Sequence, residues 1–85
     1  MKTLKFSDGF EINMIGENSV IYSQDFSQVF HAGQIESLIL REFVSPKCVS
    51  EVKAKMQSIQ GFTESEFNNF VNDLINKKIL VFYEE

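Results

Sequence analysis

The apolar pattern of this 85-residue chain changes period once, near Ala32-Gly33, and that change limits the fold more than any other feature. Across residues 4–31 large apolar side chains recur at every second position, the spacing of a strand with one buried face. Phe10, Ile12 and Met14 alternate with Glu11 and Asn13, and after a turn at Gly16-Glu17-Asn18 the pair Val20 and Tyr22 shares a face of a second strand. Gln24-Asp25 turns the chain into a third strand, residues 26–31, in which Phe26, Gln28 and Phe30 point one way and Ser27, Val29 and His31 the other. Both faces of that strand are mixed, which suits a sheet edge. Leu4 and Phe6 form a short first segment, broken at Ser7-Asp8-Gly9.

Beyond Gly33 the spacing is helical. Ile35, Leu38, Ile39 and Phe43 line one side of a first helix, widened by Leu40, and Ser45-Pro46 stops it because the residue before proline is pushed out of the helical region. Val49, Val52, Met56 and Ile59 give a second helix a narrow apolar stripe, closed by Gly61. The last helix carries the strongest signal. Thr63 and Glu66 stand at capping-box spacing, and Phe67, Phe70, Val71, Leu74 and Ile75 recur at i, i+3, i+4, i+7 and i+8. At about 100° per residue one edge of this ladder is neutral, with Asn68 and Asn72 beside Val71 and Ile75, and the other is charged, with Glu66, Asp73 and Lys77 beside Phe70. Residues 79–83 (ILVFY) are too apolar for a solvated tail, so they either dock on the core or add a strand. The expected fold is therefore α+β and winged-helix-like: a three-stranded antiparallel sheet, then three helices, then a short terminal strand if ILVFY pairs.

A chain this short makes one domain, residues 1–85, and 44% hydrophobic content with nine Phe is enough for a core. One cysteine (Cys48) cannot form an internal disulfide, and one Cys with one His (His31) falls short of a metal site. No run of eighteen apolar residues is present to span a membrane, and the acidic and Gly residues of MKTLKFSDGFE occupy the place of a signal peptide's apolar core, so a cytoplasmic protein with no membrane partner is expected. A formal charge of −4 speaks against nucleic acid, whose phosphates require a basic face. No nucleophile with a base and an orienting group, no glycine-rich phosphate loop and no cofactor motif is found, so the chain is expected to be neither an enzyme nor a cofactor carrier.

What remains is surface. A strand over residues 26–31 without Lys or Pro lacks the usual protection of a sheet edge, so unless ILVFY or the first segment covers it, an extended peptide can add to it.

The residues also resemble a known family. The run FVNDLINKKIL (residues 70–80) is similar to the FLxxLxxxGLL ending common in PqqD-like domains, with Phe70, Val71, Leu74, Ile79 and Leu80 at its apolar positions. SEVKAKM falls where that family's second helix begins, and VFHAGQIESLIL where its third strand passes into its first helix. Lys78 replaces the usual glycine, and HAG stands in place of an LN-type junction. PqqD-like domains, also called RiPP recognition elements, bind the leader of a ribosomally synthesised precursor peptide. The resemblance implies a non-catalytic module that holds the leader as an added strand and presents it to a modifying enzyme or protease, whether radical, cyclising or proteolytic. Carried onto this chain, the peptide site would comprise Phe26, Ser27, Gln28, Val29, Phe30 and His31 of the third strand with Asn68, Val71, Asn72 and Ile75 of the last helix. The alternative is a winged-helix DNA-binding regulator reading the major groove with that helix.

Overall fold

The computed structural model describes residues 3–83 and contains two three-stranded antiparallel sheets and three helices, the α+β fold expected. The first sheet runs in the order β5–β1–β6 and the second in the order β2–β3–β4, where β1 is Thr3–Phe6, β2 Phe10–Ile15, β3 Asn18–Ser23, β4 Val29–Ala32, β5 Lys47–Cys48 and β6 Leu80–Phe82. The helices are α1 (Gln34–Glu42), α2 (Val49–Met56) and α3 (Glu64–Asn76). Their common core holds Leu4, Ile21, Ile39, Leu40, Phe43, Val52, Phe67, Leu74, Ile79 and Leu80, each at most 3% exposed.

The helices begin where local chemistry starts them. The Thr63 hydroxyl accepts the Glu66 N–H at 3.2 Å, which makes the Thr63 half of the expected capping box. At α1 the Glu36 carboxylate accepts the Gly33 N–H at 2.9 Å. Ser37 is buried on α1, yet its hydroxyl is satisfied by Ser19 Oγ at 2.7 Å and by the Ala32 carbonyl at 3.3 Å, so the start of α1 is pinned to β3 and β4. α2 is shorter than its stripe suggests: it ends at Met56, and Ile59 and Gly61 lie in the connection to α3, where Gly61 takes a φ of 88°. That conformation is left-handed, which glycine adopts without steric cost.

The exit from α3 explains the terminal strand. Ile79 N–H bonds the Leu74 carbonyl at 2.9 Å and Lys78 N–H bonds the Ile75 carbonyl at 3.0 Å, the two hydrogen bonds of a Schellman motif, with Lys78 at φ 64° in the position where glycine is usual. The reversal carries Ile79 into the core, where its carbonyl accepts from Ser7 N–H at 2.8 Å and the next three residues pair antiparallel with β1, Leu80 opposite Phe6 and Phe82 opposite Leu4. ILVFY thus adds a strand to β1 and leaves β4 uncovered. Because a non-glycine residue in this region costs roughly 1 kcal/mol or more, Lys78→Gly should raise stability by about 1 kcal/mol in a denaturant melt. An unchanged or lower midpoint would mean that the Lys78 side chain contributes enough elsewhere to offset its backbone strain.

Candidate functional site

The β3–β4 connection differs from the expected tight turn. It spans Gln24 to Gln28 and is built by short polar side chains: Asp25 Oδ1 accepts from Ser23 Oγ (2.7 Å), Ser27 Oγ (2.7 Å) and Ser27 N–H (3.1 Å), while Ser23 Oγ accepts the Gln28 N–H at 3.0 Å. These donors, Ser23 first, hold the Asp25 carboxyl down to about 2, so it is ionised throughout the neutral range. Phe26 sits at the tip with φ 60°, outside any strand; it is 70% exposed and stacks on Tyr22 with ring centroids 5.5 Å apart. Of the six residues assigned to the third strand, Phe26, Ser27 and Gln28 therefore belong to the turn, and only Val29, Phe30 and His31 to β4.

The β3–β4 register then fixes which backbone groups are free. Ser23 N–H bonds the Gln28 carbonyl at 3.0 Å, so Ser23 and Gln28 form a hydrogen-bonded pair. Pairs of this kind alternate along an antiparallel ladder, so Ile21 with Phe30 and Ser19 with Ala32 bond across it as well. The N–H and C=O of Val29 and His31 point the other way, to the side of β4 with which no described residue pairs. On that side lies a groove of about 290 Å³ between β4 and α3. Its walls include Phe30 and Ile21 from the sheet, Phe70 and Leu74 from α3, and Ile79 beyond it; Glu36, Asp73 and Lys77 add charge. Lys77 reaches across this groove: its ammonium pairs with Asp73 and stands 5.0 Å from the centre of the Phe30 ring.

The helix edge facing β4 is thus the charged one, and the expected neutral edge is corrected. Asn68 and Asn72 are exposed, Val71 is buried at 3% exposure and Ile75 is half-buried, and none of the four lines the groove. Sequence reasoning had Phe70, Asp73 and Lys77 on the opposite edge of the same ladder; it did not single out Glu36, whose spacing from Gly33 was a readable capping signal. A second cavity, of about 350 Å³, adjoins the groove at Glu36 and Phe70 and continues between α1 and the start of α3, past Ile35, Phe62 and Phe67. At β2, the other edge of the same sheet, a cavity is lined by Phe6, Ser7, Asp8, Phe10, Glu11, Ile12 and Val44, none of them from a helix.

No family model matches the sequence, and no curated protein matches it. Two solved structures do match the fold. One is TbiB1 in complex with the TbiA(beta) leader peptide, with a TM-score of 0.79 and 20% identity over 95% of this chain and 99% of that one. The chain has the fold of TbiB1. The other is the heterocyclase TruD, with a TM-score of 0.74 and 14% identity; 98% of this chain corresponds to 12% of TruD, so the same fold occurs as a small part of a larger enzyme. At these identities the likeness is one of fold, which TbiB1 shares along nearly its whole length.

No helix among the described residues is long and apolar enough to cross a membrane. Among the same residues no group of three or more His, Cys, Asp or Glu side chains is arranged to hold a metal ion.

Proposed function

We propose that this chain is a peptide-binding module of the PqqD-like kind, which takes the leader of a ribosomally synthesised precursor peptide as an added strand beside β4 and presents it to a maturation enzyme without itself performing chemistry. The observation that carries the proposal is the open edge of β4 next to the groove walled by Phe30, Phe70 and Leu74. Backbone hydrogen bonds to Val29 and His31 supply affinity that does not depend on peptide sequence, and alternate side chains of the peptide enter the groove and supply selectivity. The shared fold supports the reading, because TbiB1 was solved with a leader peptide. TruD, a heterocyclase that includes this fold, is consistent with delivery to a modifying enzyme. The DNA-binding alternative draws no support from charge: Glu64, Glu66 and Asp73 are all exposed on α3, the helix that would enter the groove of DNA.

Hydrogen exchange measured with and without a candidate precursor leader peptide tests the proposal. The Val29 and His31 amides should gain protection on binding, whereas Phe30 and Ala32, already bonded to β3, should change little. Protection that appears at Leu80 of β6, whose N–H is turned away from β1, and leaves β4 unchanged would place the peptide on the other sheet and refute the assignment.

A further inference from the structure

The charge of this protein is divided unevenly along its chain. Residues 6–40 hold five acidic side chains, Asp8, Glu11, Glu17, Asp25 and Glu36, and neither Lys nor Arg. The remaining residues hold the other seven acids and all eight bases, so a total of −4 is composed of −5 in this segment and +1 elsewhere. The segment contains the whole β2–β3–β4 sheet and the start of α1. The field of such a unit acts over its entire surface, and it is felt most where a ligand comes within a Debye length, about 8 Å in physiological salt.

The open edge of β4 lies inside that field. Asp25, ionised and fixed by Ser23 and Ser27, stands in the turn that leads into β4. Glu36 lies just past the other end of β4 and lines the groove, as does Asp73 from α3. The single cation among the groove-lining side chains, Lys77, is paired with Asp73 and turned over Phe30. A strand added here has its inward side chains against Phe30, Phe70 and Leu74, and its outward side chains beside Val29, His31 and Tyr22 on a sheet without any fixed positive charge.

We infer that the peptide strand this edge accepts carries net positive charge, alternating apolar side chains turned into the groove with Lys or Arg residues held by the acidic sheet. The inference rests on the proposed peptide site and adds to it the chemical class of the ligand. An acidic strand meets the carboxylates of Asp25 and Glu36 beside an Asp73–Lys77 pair that is neutral overall, and a neutral one forgoes the attraction.

An unbiased random-peptide display library, selected against the intact protein, tests it. Selected peptides that protect the Val29 and His31 amides should be enriched in Lys and Arg. Their affinity should fall by roughly three- to tenfold between low salt and 1 M salt, where the Debye length shrinks to about 3 Å. Replacing the Lys or Arg residues of a selected peptide by Glu should weaken it by about tenfold, and Asp73→Asn or Glu36→Gln should weaken the basic peptide more than a neutral analogue. Selected peptides that protect these two amides but show no basic excess, or whose binding ignores salt, would overturn the charge inference and leave the peptide site standing. Selected peptides that protect neither amide would remove the site, and the inference with it.

Discussion

Val29→Pro should leave the domain folded and weaken leader binding by about ten- to a hundredfold, the equivalent of roughly 1.5–3 kcal/mol. The reasoning depends on the direction of one N–H. Val29 sits on β4 between Gln28 and Phe30, whose backbone groups bond β3, so its own N–H faces the open side. Proline is tolerated on an edge strand when the missing donor points outward, and Val29 is half exposed at 51% and is not among the buried core residues. An incoming strand, by contrast, loses one of the two donors offered by β4 and meets the pyrrolidine ring where it must approach to about 4.8 Å. Val29→Ala keeps the N–H and serves as the control; it should bind nearly as the parent does. A melt shows whether the proline variant is folded. Unchanged leader affinity in a folded Val29→Pro protein would exclude β4 as the docking edge.

Leu74→Ala is expected to destabilise the domain by roughly 2–5 kcal/mol, the usual result of emptying a buried leucine site. Leu74 is 3% exposed, its carbonyl accepts the Ile79 N–H that closes α3, and its side chain forms part of the groove wall, so one side chain serves both core and site. For a chain of this size a total stability of about 4–13 kcal/mol is typical, and the loss is therefore a large fraction of it. Asn72→Ala, two positions away on the exposed face, should change stability by less than about 0.5 kcal/mol. Chemical denaturation of the two variants side by side measures the difference. Equal midpoints would mean that α3 is rotated relative to the structure.

Much of the fold could be read in the sequence, because its signals are local. The change of period at Ala32-Gly33 separates β4 from α1, Thr63 caps α3, and the apolar ladder identifies Phe67, Val71 and Leu74 as the centre of the buried face, each at 3% exposure or less. These depend on spacing within a few residues, which backbone geometry converts directly into faces and caps. The turn around Asp25 was partly legible in the same way. Ser23, Asp25 and Ser27 are short polar residues that bond their own backbone, but the alternation of Phe26, Gln28 and Phe30 matched a strand equally well, and the side-chain hydrogen bonds to Asp25 decided in favour of the turn.

The candidate site was legible only in half. The sequence identified Val29, Phe30 and His31 as an edge, since nothing in them guards one. It could not choose between the two edges of α3. An apolar ladder fixes how a helix turns about its own axis toward the core, and both flanks of the ladder satisfy that condition equally; which flank meets β4 depends on the direction in which the helix crosses the sheet. The same holds for residues 79–83, whose composition required burial without naming a partner strand. Their pairing with β1, seventy-odd residues earlier in the chain, follows from the Lys78 reversal and the position of Leu4 and Phe6 in the folded molecule. Periodicity and capping determined the elements and their buried faces; the non-local packing of α3 and β6 alone decided that β4 stays open and that Phe70, Asp73 and Lys77 stand across from it.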